Sequence, residues 1–503
     1  IVLIPQPSSD LNDPLNWPLW QRDLILLLYC FCTNICVGGV GPLLSVIVVP
    51  LIMEFRVGFT QVTLLSGYQL ATVASVGIFV SALSRKFGKR PAFLVSLSLL
   101  LAGSIWCGES TSYNSMLGGR IIQGLGTATF ESITFAIIGD LYFVHQRGSR
   151  MAIYVISQAG LVLMPSMIAG KVAEDLNWRW TFRLLSIFIG IGFLGVILFG
   201  WETAFNRSAV YNIDTSSHDN IQIIEDLKSG DAAHIEGDNH LATTLTVSSS
   251  TNETRKRDSF LKRMMPWSGV YTSEPLIKLI VRPLFVVANP AILWAILVIA
   301  FAQLWNVIIS YTLAQIFSPP PYSLGPAQLG YISGGPMVAG VIGCFFCGAI
   351  SDPICRYMAK RNNGIYEPEF RLVLMAFVPI FAGLGYFLFG NMAAEGKSPV
   401  ALSVIWGVIF FSVQLVGNAT GTYLVDAFRN YSIDVFIISM TIKNFLFFGF
   451  SFFMNDWVTK WGVARVFNVI GGIMLALSAT TIPVYVYGKV RAWWHTHDLL
   501  SKI

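Results

Sequence analysis

Twelve stretches of about 18 or more mostly apolar residues, in two groups of six split by one polar linker, constrain this chain more than any other feature. In a hydrocarbon layer no water is available to the backbone, so each stretch must satisfy its own N–H and C=O groups by coiling into a helix. The expected fold is therefore an all-α membrane protein: twelve transmembrane helices in two pseudo-symmetric six-helix bundles. Six plus six around a central linker is the layout of a two-lobed secondary transporter, which points to movement of a solute rather than to bond chemistry.

Composition agrees. Only 12% of the 503 residues are charged and 54% are hydrophobic, whereas soluble domains carry roughly 25% charge. The net charge of +5 does not indicate nucleic acid, because the cations follow topology. Of 33 Lys and Arg, 24 fall on one side of the spans, seven on the other and two inside them. By the positive-inside rule the richer side is cytoplasmic, with both termini and the linker. The chain begins at Ile1 without a Met, which predicts that residues precede it. Span 1 is expected to act as an internal signal. The seven Cys read as small buried residues, including the CFFC at 344–347.

The expected spans are about 23–46, 61–83, 91–107, 115–139, 149–170 and 182–201, then 286–312, 327–351, 371–390, 399–424, 432–454 and 463–487. They divide the chain into a segment 1–22, a bundle 23–202, a linker 203–282, a bundle 283–488 and a tail 489–503. The linker is rich in Ser, Thr, Asp and Asn over 203–264 and is expected to be largely disordered. Ser248 to Ser250 and Arg255-Lys-Arg257 within it are candidates for phosphorylation or contact with anionic lipid. Residues 265–282 are expected to form a short surface helix. Each half also has a small-residue helix end before a short basic loop: SALSRKFGKR at 81–90 and GAISDPICR at 348–356. Arg85, Lys86, Gly88, Lys89, Arg90, Asp352 and Arg356 belong to these two loops, whose basic residues hold them on the inner side.

Charges inside a membrane are costly and need a reason. Arg120, Glu131 and Lys443 stand out. Arg120 and Glu131 lie eleven residues apart in span 4, on nearly one face and about 16 Å apart along the axis. A carboxyl in a poorly hydrated cavity holds its proton more tightly, which suits a coupling residue that exchanges it near neutral pH. The structural alternatives are an Arg120 bonded to neighbouring carbonyls and a Glu131 that only links helices. Lys443, beside Asn444, either lines the cavity or bonds helices. Gln123, Gln303, Trp305, Asn306, Gln414 and Asn418, with Asn34 in span 1, put polar groups on spans 1, 4, 7 and 10. Those four spans are related by a three-helix repeat and are expected to enclose one chamber. No cofactor or metal is expected: all six His fall outside the spans, and His495-Thr-His497 reads as a tail feature.

These residues resemble the major facilitator superfamily, and within it the fungal twelve-span drug:proton antiporters. The resemblance covers nearly the whole chain outside 203–264. It rests on Asp13-Pro-Leu-Asn-Trp-Pro18, Arg120-Ile-Ile-Gln-Gly-Leu-Gly126, Ile138-Gly-Asp-Leu-Tyr-Phe143 with His145 and Arg147-Gly148, and Asn177-Trp-Arg-Trp-Thr-Phe182. Asn455-Asp-Trp457 is similar too, and the most specific match is Arg361-Asn-Asn-Gly-Ile-Tyr-Glu-Pro-Glu-Phe-Arg-Leu372. The resemblance implies a major facilitator fold, alternating access, and a monomer in the plasma membrane. It also implies proton-coupled efflux of small organic compounds, with proton coupling at Arg120 and Glu131. Two departures matter. Arg85 stands where the family usually has the Asp of an inner-gate charge relay, and Asp352 is the candidate for a similar role in the second half. Met164 precedes Pro165 where the antiporter motif has Gly. The alternatives are an importer or facilitator of a small, possibly cationic nutrient, and a non-transporting sensor.

Overall fold

The computed structural model describes residues 8, 10–205, 258–362, 364, 366–428 and 431–486. The patterns at Ser248–Ser250, Arg255–Arg257 and His495–His497 lie outside them. Helix is the only regular secondary structure among the described residues, with no strand. Eleven helices are long and apolar enough to cross a membrane. Spans 2 to 6 are Phe59–Phe87, Lys89–Gly108, Tyr113–Leu141, Gln146–Asp175 and Trp178–Phe199; spans 7 to 10 are Pro290–Phe317, Pro326–Arg361, Pro368–Ala394 and Pro399–Ala427. Span 11 is Ser432–Ser451 and span 12 is Val463–Val486.

Span 1 is the twelfth, and it is broken. The expected continuous helix over 23–46 is instead Leu19–Thr33, a wide turn over Asn34–Gly38, a short helix Leu43–Val46 and a further helix Val48–Phe55. The sequence Gly38-Gly39-Val40-Gly41-Pro42 explains the break: glycine weakens a helix and proline has no N–H to give it. A side chain at Gly38 would run into the Val162 carbonyl of span 5. The break frees two carbonyls. Val40 accepts from Arg120 at 2.8 Å and Gly41 from the Tyr311 hydroxyl at 2.8 Å. Span 4 bends at Ile133, two residues past Glu131, and span 5 has a tight turn at Leu161–Leu163 just before Pro165.

The second expected loop is absent. Residues 348–356 are helical, and span 8 runs on to Arg361 with Pro353 inside it. In the first half, Arg85 and Lys86 form the last turn of span 2, Gly88 is the whole turn at φ +95°, and Lys89 and Arg90 begin span 3. Basic residues do not by themselves end a helix, and nothing in 348–356 supplies the left-handed residue that Gly88 provides.

Within each half, spans 2 and 3 pack on span 4, and spans 8 and 9 on span 10. The halves meet where span 2 lies on span 11, span 5 on span 8 and span 1 on span 7. Small residues allow this close approach. A Cβ at Gly340 would lie 2.8 Å from the Ala159 carbonyl carbon across the seam, and one at Gly330 2.9 Å from the Ser166 oxygen.

The last part of the expected linker is fastened to the bundle. Residues 258–271 lie under the first half, and the helix that follows is Leu276–Val286, later than the expected 265–282. Arg90, fully buried, donates to the carbonyls of Val196, Ile197 and Gly200 at the end of span 6 and of Met264 and Met265 in this segment. Tyr271 N–H donates to the Lys86 carbonyl at 2.9 Å. Trp201 gathers Trp17, Phe260 and Arg263 around its ring. Glu202 accepts the N–H groups of Lys89 and Arg90, while burial pushes its carboxyl up from the usual carboxylate range.

Candidate functional site

Glu131 and Lys443 meet across the seam. The Lys443 Nζ lies 3.6 Å from Glu131 Oε1, and Asn444 donates to Oε2 at 3.1 Å. Both charged side chains are largely buried, with relative exposures of 8% for Glu131 and 15% for Lys443. Lys443 thus has a partner that its own sequence neighbourhood could not supply, since the two residues stand on spans 4 and 11. One turn toward the linker face, Phe135 stacks on Phe436 at 5.7 Å and packs against Tyr154 at 4.6 Å. Neighbouring helices therefore present a carboxylate, an ammonium and an amide in the seam, with three aromatic rings one turn away on the linker side.

Arg120 is fully buried and has no carboxylate partner among the described contacts. Its guanidinium donates to the Val40 carbonyl, to Gln123 at 3.0 Å, to Ser66 at 3.1 Å and to Gln69. It holds spans 1, 2 and 4 together. The planar fork suits this, because its donors can reach several fixed acceptors at once.

The expected chamber residues distribute unevenly. Gln123 donates to Ser104 of span 3 at 2.9 Å, inside the first half. Asn34 donates to the Cys30 carbonyl at 2.9 Å and to Ser157 of span 5. Asn306 accepts from Trp406 of span 10 at 3.1 Å. Trp305 is buried against Phe450 of span 11 at 5.2 Å. Gln303 is half-buried, and Gln414 faces Gly343 of span 8. The oxygens of Asn34, Asn418 and Asn444 and the indole nitrogen of Trp305 are buried without a partner. Buried polar atoms left unpaired are expensive, so such a set marks places where another molecule can bond. Among the described residues no group of His, Cys, Asp and Glu could hold a metal ion.

The expected gating residues also find partners. Arg85 bonds Asp434, in the first turn of span 11, across the seam. The same carboxylate has Arg282 at 3.4 Å, and Asp434 is only 2% exposed. Asp352 does not cross the seam. It pairs with Arg371 at 2.7 Å, and Arg371 also reaches Asp426 at 3.1 Å, all within the second half. Lys89 bonds Asp140 within the first half, and Arg356 is exposed. Asp434 was missed in the sequence; its signal is an acidic residue in the first turn of span 11, ordinary on its own.

On the opposite face the seam is closed by hydrogen bonds without an ion pair among those described. Asn455 donates to Thr63 at 2.8 Å, Thr60 to Asp456 at 3.1 Å, and the Ala327 N–H to Glu174 at 3.0 Å. The halves are thus joined at both faces and in the middle.

The Major Facilitator Superfamily profile matches residues 25–432. An uncharacterized MFS-type transporter of Schizosaccharomyces pombe is 25% identical over 98% of this chain and 88% of its own length. Protein HOL1 of Saccharomyces cerevisiae is 22% identical over 98% and 90%. The efflux pump vrtL of Penicillium aethiopicum is 22% identical over 97% and 88%. Among solved structures, the xylose transporter XylE of E. coli superposes with a TM-score of 0.53 at 14% identity, covering 93% of this chain and 98% of its own. A peptide transporter, POT, gives 0.57 at 15% identity over 92% and 94%. At such identities these two structures speak for the fold alone.

Proposed function

The chain belongs to the Major Facilitator Superfamily, and from that premise we propose that it is a proton-coupled secondary active transporter exporting small organic compounds by alternating access. It is a multi-pass membrane protein, a transporter and not an enzyme. The observation that carries the proposal is the Glu131–Lys443–Asn444 contact across the seam. A proton on Glu131 removes the charge that holds Lys443 and so loosens the two halves at mid-height. Loss of that proton restores the pair. One protonation event thus acts directly on the element that must rock.

Arg120 serves this scheme as a fixed anchor. It keeps the first part of span 4 on spans 1 and 2, so that movement beyond Glu131 is taken up at the bend by Ile133. Substrate enters between the halves; the buried unpaired atoms of Asn34, Trp305, Asn418 and Asn444 support these residues as its contacts, with Asn306 and Gln414 as further candidates. The Arg85–Asp434 pair is the latch at the linker face. Arg85 therefore keeps a gate closed with reversed polarity: the cation sits on span 2 and the carboxylate on span 11. In this reading the linker face is cytoplasmic, the membrane is the plasma membrane and the protein works as a monomer. The efflux pump among its relatives supports the outward direction.

A second reading, uptake of a small cationic nutrient, is favoured by Glu131 being the carboxylate farthest from the span ends among the described residues. The direction of flux separates the two.

The test is flux of a panel of dyes and drugs in proteoliposomes, with and without an imposed pH gradient. Glu131→Gln keeps the amide-sized side chain and a bond to Asn444 but cannot carry a proton. Gradient-driven movement is expected to vanish while the protein still folds, with a lowered melting temperature because Lys443 loses the charge that compensates it. Full gradient-driven transport by this variant would sink the coupling role.

A further inference from the structure

Helix Leu276–Val286 has two apolar faces. Leu279, Pro283 and Val286 recur at i, i+4 and i+7 and are buried against spans 2 and 11. Ile277, Leu284 and Phe285 stand on the other side, with Ile277 75% exposed. At about 100° per residue, Ile277 and Leu284 lie within roughly 20° of one another and far from the buried stripe. The helix has only two charged residues, Lys278 and Arg282, and Arg282 is turned onto Asp434.

A helix with apolar residues on two opposite faces, and charges only on the edge between them, does not rest with the second face in water. This one is also too short to cross a bilayer. Its eleven residues rise about 16 Å, about half the thickness of a hydrocarbon core of roughly 30 Å. The remaining position is along the boundary between headgroups and acyl chains.

The segment before it has the same character. Leu261 is 78% exposed, and Met265, Trp267 and Val270 are exposed as well. Tryptophan is enriched at this boundary, where its ring meets lipid and its N–H meets headgroups. The apolar surface is also continuous with a lipid-facing one. The buried cluster that includes Val286 takes in Ile78 of span 2, and the neighbouring Phe79 and Leu83 of that span are exposed.

We propose that residues 260–285 form a strap that lies on the bilayer at the linker face, with Leu261, Trp267, Ile277 and Leu284 seated among the lipids. The strap then touches three things at once. Its first part is bonded to the first half through Arg90, its helix spans the seam between spans 2 and 11, and its outer face rests on the membrane surface.

The test uses the full chain in liposomes, with a nitroxide attached singly at Leu261→Cys or Ile277→Cys and a water-exposed control at Thr111→Cys on the opposite face. Collision with oxygen, which concentrates in lipid, is compared with collision with a polar nickel chelate. The expected result is a ratio of oxygen to chelate collisions well above that of the control at both strap positions. A ratio equal to the control would mean that the strap stands in water, and would overturn the proposal. Protection from both reagents would mean that protein covers it, and would overturn it equally.

Discussion

Removing Arg85 tests the latch where its energy is most nearly calculable. Asp434 is 2% exposed and Arg85 is 26% exposed. Deleting one partner of a fully buried ion pair costs about 3–5 kcal/mol, because the other charge is left without compensation. Two features reduce that figure here. Arg85 is partly solvated, and Arg282 stays 3.4 Å from the same carboxylate. A cost of about 1–2 kcal/mol is then expected for Arg85→Ala, a factor of roughly 5 to 30 in an equilibrium. The bond joins the two halves, so this factor should appear as a shift from closed to open at the linker face and not as general loss of stability. The assay is a distance distribution between spin labels at Ser149→Cys on span 5 and Lys360→Cys on span 8, both exposed and on opposite halves. Arg85→Ala should raise the long-distance population. Arg282→Ala should raise it less, since the contact it loses is longer. A distribution unchanged by Arg85→Ala would refute the latch.

Two more substitutions follow from packing and bonding. Gly340→Ala should hinder closure of the seam, since the new Cβ would meet the Ala159 carbonyl and the Phe410 ring; overpacking of this kind costs about 1–3 kcal/mol. A lower melting temperature and reduced flux are expected, while Gly348→Ala, with nothing within 4 Å, should match the parent in both. Arg120→Lys should lower thermal stability in detergent by about 1–3 kcal/mol for each acceptor left unpaired, because one ammonium cannot reach Val40, Ser66, Gln69 and Gln123 together. A melting temperature equal to the parent's would show that the guanidinium fork is not needed.

The spans were legible because burial in lipid writes itself as a long apolar run, a local property of sequence. The break in span 1 was not, although Gly38-Gly39-Val40-Gly41-Pro42 carries it. Hydropathy is blind to a turn whose residues are all apolar, and the turn exists to free carbonyls for Arg120 and Tyr311. Arg120, Glu131 and Lys443 were visible as charges out of place, but their partners were not. Glu131 and Lys443 are 312 positions apart, and only the packing of span 4 against span 11 brings them together. Asp434 escaped notice for the opposite reason. An acid in the first turn of a helix is common, and its importance comes from Arg85 on another element. Residues 258–264 read as the end of a polar stretch and 265–282 as a surface helix, because the bonds that fasten 258–271 run to Arg90, Lys86 and Trp201, none of which a composition window can see.

That fastening changes what connects the halves. Glu202 and Thr203 are bonded to Lys89, Arg90 and Asp140, and Asp258 to Asn12, so the described residues on either side of 206–257 are both fastened to the same half. The connection from one half to the other therefore begins after Tyr271. The true leash runs from the Tyr271–Lys86 bond to the start of the helix at Leu276. Extended, Thr272 to Pro275 reach about 14 Å at roughly 3.3–3.6 Å per residue. Helix Leu276–Val286 packs on spans 2 and 11 alike, so these four residues set only the reach from the first half to the helix, and the helix itself carries the connection across the seam.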